Sequence, residues 1–285
     1  MNIGFIGLGA MGSHMAARLQ AAGHALQTFD LNGKGNRKSA REVFQDAEVL
    51  FTSLPGPAEV ESLSRDVSPG MVWFDTSTNS PEVVRRIHSR IKGFLDAPVS
   101  GGPKGAETGK LAIWVGGDRA VFDSYLSLLK ILGDQPFYVG PIGAGTVAKL
   151  AHNCASFTIQ AALAEVMTLG VKAGVEPLAL FRALRQGASG RKRTFDRLPE
   201  HFLPGKFDPP AFTVDLAYKD ASLAMELARA CGVPMKIGQA ALDELAAAKA
   251  RGWGGRDCRV AMTLQEERAG VSVRVPAERL QNILD

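Results

Sequence analysis

A parallel α/β domain followed by an all-helical domain is the fold class that the sequence predicts. Three observations predict it. Short apolar runs alternate with amphipathic stretches through the first half. This alternation stops at the turn Pro141-Ile142-Gly143-Ala144-Gly145. From Thr146 onward the apolar residues keep only the helical period. The boundary is set at residue 143, giving domains 1–143 and 144–285. A length of 285 residues agrees with two domains of roughly 100–200 residues each.

In order along the chain, residues 3–6 predict a buried strand and residues 11–22 a helix stopped by Gly23. Residues 25–30 and 48–54 predict the next strands, the latter closed by Pro55-Gly56-Pro57. Residues 71–75, 94–99, 111–115 and 136–139 continue the series. Helical patterns at 81–92 and 119–132 lie between them. Strands alternating with helices mean βαβ units and a mainly parallel sheet. In the second half, helices are predicted from 146 to 172, then at 177–184, 213–231, 234–251 and 256–269.

Composition excludes several classes. A hydrophobic fraction of 46% with 22% charged residues is that of a globular chain, not of a disordered, collagenous or coiled-coil one. The three cysteines, Cys154, Cys231 and Cys258, form no CxxC pair. They give no disulfide scaffold and no zinc or other metal site, and they suit a reducing, cytoplasmic setting. The most apolar segment, 154–171, is broken by Gln160 and Glu165, so no membrane span is expected. The N-terminus opens on a strand and carries no basic leader of a targeting signal. A net charge of +4 without a long basic tract gives no reason to expect nucleic acid as a partner.

Four motifs carry chemistry. The first strand runs into Gly7-Leu8-Gly9-Ala10-Met11-Gly12, a GxGxxG between a strand and a helix. The first glycine permits the tight turn, the second lets a pyrophosphate approach the backbone, and the third lets helix and strand pack closely. The helix N-terminus then offers N–H groups to phosphate. This predicts a Rossmann dinucleotide site, against the plainer reading of a glycine-rich turn. Asp30 ends the second strand, 18 residues after Gly12. A carboxylate there binds both ribose hydroxyls and repels a 2′-phosphate, which favours NAD. Lys34, Arg37 and Lys38 lie just beyond and keep NADP open, and Asp30 also reads simply as a turn residue.

The third motif is the strand end and loop Ser100-Gly101-Gly102-Pro103-Lys104-Gly105. There a hydroxyl and backbone N–H groups can converge on a carboxylate, as in an anion nest. Alone it reads equally as a glycine-rich turn. The fourth is Lys149, His152 and Asn153, at i, i+3 and i+4, on one helix face just after Gly143-Ala144-Gly145. Burial would lower the pKa of such a lysine and suit it to proton transfer. Taken singly, it reads as a solvated side chain.

Together, in this order and spacing, the motifs resemble the β-hydroxyacid dehydrogenases. That is the 3-hydroxyisobutyrate dehydrogenase and tartronate semialdehyde reductase group, related to 6-phosphogluconate dehydrogenase. The resemblance includes Lys219-Asp220 and spans nearly the whole chain. It implies a Rossmann domain, a long connecting helix and an all-helical domain supporting homodimers or homotetramers. It also implies reversible, NAD(P)-dependent oxidation of a small 3-hydroxy acid. By this resemblance Lys149 is the general acid/base, and Ser100, Gly101, Gly102 and Asn153 hold the substrate. Leu54, Pro55 and Thr78 line the nicotinamide, and Lys219 closes the site from the helical domain.

Three departures qualify it. Lys149-x-x-His152-Asn153 reads as in the 6-phosphogluconate enzymes, but Ser156 stands where those carry a glutamate for decarboxylation, so no decarboxylation is expected. The segment 30–48 is about ten residues short of the family pattern. Arg191-Lys192-Arg193 is a local excess of cations, either a solvated turn or a binder for a second anionic group on the substrate. The rivals are an imine reductase, a class that shares the fold and usually lacks the lysine, and a non-catalytic nucleotide-binding module.

Overall fold

The computed structural model describes residues 1–172, 174–187, 198–230 and 235–280. Arg191, Lys192, Arg193 and Cys231 lie outside the described residues. The chain divides into two compact units, Met1–Ala151 and His152–Asp285. The division falls inside one long helix, eight residues beyond the position 143 read from the sequence. The helix's first turns are fastened to the sheet of the first unit, which draws them into it. Among the described residues no helix is long and apolar enough to cross a membrane.

The first unit is an eight-stranded sheet with helices on both faces. Its strands are β1 (Asn2–Ile6), β2 (Ala25–Phe29), β3 (Val49–Thr52), β4 (Val72–Asp75), β5 (Phe94–Asp96), β6 (Val99–Ser100), β7 (Ala112–Gly116) and β8 (Gln135–Gly140). The order β2-β1-β3-β4-β5 is parallel throughout. Strand β7 then runs antiparallel to β5 and β6, and β8 is parallel to β7. The helices are α1 (Gly12–Ala21), α2 (Ala40–Asp46), α3 (Pro57–Leu63), α4 (Pro81–Arg90), α5 (Gly102–Thr108) and α6 (Arg119–Leu132).

Alternation along the strands sorts the core into two layers. Ile3, Phe5, Val49, Phe51 and Phe74 pack with Met15 and Leu19 of α1 and Leu129 of α6. Ile6, Leu50, Trp73 and Phe94 pack on the opposite face with Val60 of α3 and Val84 and Ile87 of α4. Phe5, Phe51 and Phe74 are in register on adjacent strands. Their rings stack at centroid distances of 6.3 and 5.3 Å. Each such pair is worth about 0.5–1.5 kcal/mol beyond the area it buries.

Two elements differ from expectation. The strand predicted at 94–99 breaks at Ala97-Pro98, because proline has no N–H for the ladder. The glycine-rich stretch after Ser100 begins the helix α5 instead of continuing as a loop. The short segment after β2 has a specific anchor. Asn36 accepts from the Thr28 amide at 2.8 Å and donates to the Leu26 carbonyl at 2.9 Å. Its side chain thus stands in for a neighbouring strand on the exposed edge of β2, and the unpaired backbone groups there are covered.

In the second unit lie most of α7 (Ala144–Lys172), then α8 (Pro177–Gln186), α9 (Val214–Ala230), α10 (Lys236–Ala250) and α11 (Thr263–Ala269). Their core includes Phe157, Met167, Phe181, Phe202, Leu245 and Val260. The helix expected at 256–269 does not form as one piece. Asp257 accepts the amides of Ala211 and Phe212 and pairs with Arg259 at 2.8 Å. With its side chain so used, Asp257 bridges to Thr213, a 3-10 turn covers Cys258–Met262, and α11 follows.

Candidate functional site

The strand ends of the first unit form one row. Ile6 is in register with Thr52, Thr52 with Asp75, and Asp75 with Asp96. These positions close the carboxyl ends of β1, β3, β4 and β5. In an open parallel sheet, ligands bind at this edge, where the strand order reverses beside β1.

Gly7 to Gly12 leave this edge after β1. A side chain at Gly7 would meet the Ser53 carbonyl oxygen at 2.2 Å, and one at Gly12 would meet the Gly7 carbonyl oxygen at 1.8 Å. Both places are closed by backbone. Gly9 is the opposite case, since a Cβ there meets nothing within 4 Å. Its backbone is open to an incoming group. Helix α1 begins beside it with no acidic residue in its first turn and no side-chain cap at Met11. An open groove at the same place is lined by Leu8, Gly9, Ala10, Ser13, Thr28 and Lys34, among others. Uncapped amides, an open glycine and a positive dipole end fit a dinucleotide diphosphate.

Asp30 follows β2. Its Oδ2 accepts the Leu8 amide at 2.7 Å and its Oδ1 the Asn32 amide at 2.8 Å. The Leu8 bond, more than any other contact, holds the carboxyl below the usual aspartate range, with the Asn32 amide and the nearby Lys34 charge adding to it. Asp30 therefore joins the end of β2 to the glycine loop, a structural tie the sequence reading did not foresee. Of the cations beyond it, Arg37 is paired with Asp46 at 2.8 Å.

Leu54 and Pro55 follow β3, and Thr78 follows β4. The Leu54 amide donates to Ser77 Oγ at 2.8 Å, joining the two loops. Below them Asp75, fully buried, accepts from Thr52 Oγ1 at 2.8 Å, the Ser77 amide at 3.2 Å and Asn79 Nδ2 at 2.9 Å. Burial drives its pKa up, and the three donors oppose that. Trp73 Nε1 donates to Thr52 Oγ1 and closes the network.

Ser100 ends β6. Gly101 and Gly102 have φ of +135° and +64°, a region only glycine enters readily. A Cβ on Gly102 would meet nothing within 4 Å, so the turn is open to solvent. Asp96 ends β5 and turns to the start of α7. Its Oδ1 accepts the Gly143 amide at 2.7 Å and its Oδ2 the Thr146 amide at 2.5 Å. Burial raises its pKa to about 6 against the opposing pull of these amides. Lys149 stands one turn further along this fastened helix, half-buried.

In the second unit Asn153 is buried on α7 and His152 is exposed. Asn153 Nδ2 donates to Asp220 Oδ2 at 2.5 Å, and Lys219 Nζ lies 2.9 Å from Asp220 Oδ1. Sequence reasoning named Lys219 and gave no role to Asp220, Asp75 or Asp96. A signal was present for the last two. Each is the one charged residue of a buried strand, at its final position. Such a residue must find donors beyond the strand end.

Comparison with known proteins finds relatives over nearly the whole chain. Residues 2–140 match the family profile for the NAD binding domain of 6-phosphogluconate dehydrogenase. Residues 143–264 match the one described as NAD-binding of NADP-dependent 3-hydroxyisobutyrate dehydrogenase. The chain is 33% identical to 2-(hydroxymethyl)glutarate dehydrogenase of Eubacterium barkeri, over 96% of this chain and 97% of that one. It is 33% identical to an NAD-dependent L-serine dehydrogenase of Pseudomonas aeruginosa, over 94% and 99%. Among solved structures, Mycobacterium tuberculosis 3-hydroxyisobutyrate dehydrogenase with L-serine superposes with a TM-score of 0.81. It shares 30% identity, over 92% of this chain and 98% of that one.

Proposed function

The chain belongs to the β-hydroxyacid dehydrogenase family of NAD(P)-dependent oxidoreductases, and from that premise we propose that it oxidises a small 3-hydroxy acid, reversibly and without decarboxylation, with Lys149 as general acid/base. A nicotinamide dinucleotide, when bound, would supply the hydride acceptor. As the hydride leaves the carbinol carbon, the hydroxyl proton passes to the neutral Lys149 Nζ, and the C–O single bond becomes a carbonyl. In the reverse direction the protonated lysine returns it. Ser100, Gly101 and Gly102 bind the substrate carboxylate, and Asn153 binds next to the reacting oxygen. Gly7 to Gly12 and Asp30 hold the dinucleotide, with Leu54, Pro55 and Thr78 against the nicotinamide. Lys219 is the second lysine of the site.

The observation that carries this reading is the fastening of α7. Asp96, at the end of a sheet strand, holds the amides of Gly143 and Thr146. The first turns of α7, which carry Lys149, are thereby fixed at the sheet edge from which the glycine loop also leaves. Asp30 favours NAD over NADP. Ser156, in place of a glutamate, supports oxidation without loss of carbon dioxide. Lys149 itself weighs against an imine reductase.

The substrate is open among 3-hydroxy acids. The name of the Eubacterium barkeri relative denotes a dicarboxylate, and Arg191-Lys192-Arg193 offers cations for a second acidic group. A panel of 3-hydroxyisobutyrate, glycerate, serine, threonate and 2-(hydroxymethyl)glutarate, each with NAD and with NADP, tests the whole reading by absorbance of the reduced nicotinamide. Turnover of one of them is expected, and no turnover of any would overturn it.

A further inference from the structure

Asp220, like Asp257 and Glu266, is a buried carboxylate of the second unit that the proposed chemistry does not use. It is 2% exposed on α9 and meets two side chains. Lys219 Nζ approaches Oδ1 at 2.9 Å, off hydrogen-bonding geometry, so this contact is ionic. Asn153 Nδ2, on α7, approaches Oδ2 at 2.5 Å and makes the directed bond. Asn153 is itself 7% exposed.

A carboxamide has two ends of nearly the same shape and opposite hydrogen-bonding character. A carboxylate only accepts, so it tolerates only the NH2 end. A flipped Asn153 would set its carbonyl oxygen against a carboxylate oxygen, losing a charge-assisted bond and adding repulsion. Asp220 thus selects one of the two orientations, and Lys219 balances the charge that does the selecting. One Nδ2 hydrogen goes to Asp220, and the second remains as a donor.

We propose that Asp220 is a positioning residue for substrate binding. It fixes the Asn153 carboxamide so that its second Nδ2 hydrogen donates to the substrate hydroxyl oxygen, which leaves that hydroxyl's own proton for Lys149. The proposal rests on the reading that Asn153 contacts the substrate. Asp220 acts through Asn153 and touches neither the substrate nor the dinucleotide.

The test is a double-mutant cycle with Asn153→Ala and Asp220→Ala, plus Asp220→Asn, using L-serine and 3-hydroxyisobutyrate as substrates. Each alanine variant is expected to lower kcat/KM by roughly 10- to 100-fold, and the double variant to be no worse than the poorer single, because the pair acts as one unit. The Kd for NAD should change by less than about threefold. Asp220→Asn keeps a carbonyl that accepts from Asn153 and should recover at least about tenfold over Asp220→Ala. Multiplicative losses in the cycle, or Asp220→Asn as impaired as Asp220→Ala, would overturn the positioning role. An Asn153→Ala enzyme with unchanged kcat/KM would overturn it through the substrate reading instead, so the two failures are told apart. If Asp220→Ala does not fold, the side-chain amide resonances of Asn153 in 15N spectra carry the test. They should move in Asp220→Asn, and unmoved resonances would overturn the proposal.

Discussion

Asp96 Oδ2 lies 2.5 Å from the amide of Thr146, three residues before Lys149. A buried carboxylate at the end of a strand caps the helix that carries the proposed base. Two amides that would otherwise lack partners at the helix start are satisfied. Carboxylate at a helix N-terminus is also favoured by the dipole. Burial works against it, and the balance leaves the carboxyl with a pKa of about 6.

The elevated pKa makes a sign-definite prediction about stability. The folded protein binds the Asp96 proton up to about pH 6, while the unfolded chain releases it near 3.8. The stabilisation linked to this group is therefore complete below pH 3.8 and lost as pH rises through 6. At roughly 1.4 kcal/mol per pH unit it amounts to about 3 kcal/mol. Denaturant unfolding of wild type and Asp96→Asn between pH 4 and 7 measures it. The difference between the two should change by up to about that amount across the window, and a constant difference would contradict the assignment.

Lys149 gives the most direct test of the chemistry. Removing a general base lowers turnover by roughly 10²–10⁴. Lys149→Ala is expected to lose that much in kcat while the Kd for NAD stays nearly unchanged, because the role proposed for the lysine concerns the hydroxyl proton alone. Stopped-flow turnover and equilibrium NAD titration separate the two effects. Near-normal kcat would remove Lys149 from the reaction.

Much of this was legible in the chain because it lies in local pattern. The glycine loop, Asp30 and the alternation of apolar runs each depend on neighbours within a few tens of residues. Asn36 was not legible, since its task is set by the bare edge of β2. Asp257 hid a break in a helical pattern because its partners at 211 and 212 lie far back in the chain. Asp75, Asp96 and Asp220 share that difficulty. Each satisfies groups on another element, 23 to 67 residues away in its longest reach. The motifs named candidate residues, and only the fold showed which aspartates hold neighbouring groups in place.

Asp30 makes the cofactor preference testable with two variants. Its oxygens hold the Leu8 and Asn32 amides, so its loss has a structural part and an electrostatic part. Asp30→Asn keeps an acceptor for Leu8 and loses the charge that repels a 2′-phosphate. It should narrow the NAD over NADP ratio of kcat/KM by about tenfold or more. Asp30→Ala frees the Leu8 amide and should weaken both cofactors. Lys34 is the cation proposed to meet the phosphate, because it lines the groove beside Gly9 and lies near Asp30, whereas Arg37 is paired with Asp46. Adding Lys34→Ala to Asp30→Asn should undo the gain with NADP. A wild-type enzyme faster with NADP would show that the short loop outweighs Asp30.

The glycine loop separates a binding glycine from a packing glycine. At Gly12 a methyl group would sit 1.8 Å from the Gly7 carbonyl oxygen, so backbone must move. Overpacking of this kind costs about 1–3 kcal/mol or more, and Gly12→Ala should lower Tm by at least a few degrees. At Gly9 the same methyl meets nothing within 4 Å, so Gly9→Ala should fold with Tm within about 2 °C of wild type. The methyl then occupies the space through which a diphosphate reaches the backbone amides. KM for NAD should rise about tenfold or more in Gly9→Ala, with kcat little changed at saturation. Calorimetry and steady-state kinetics on the two variants read both quantities. If Gly9→Ala binds NAD as wild type does, the diphosphate does not pass over Gly9, and the loop's role would be confined to packing β1 against α1.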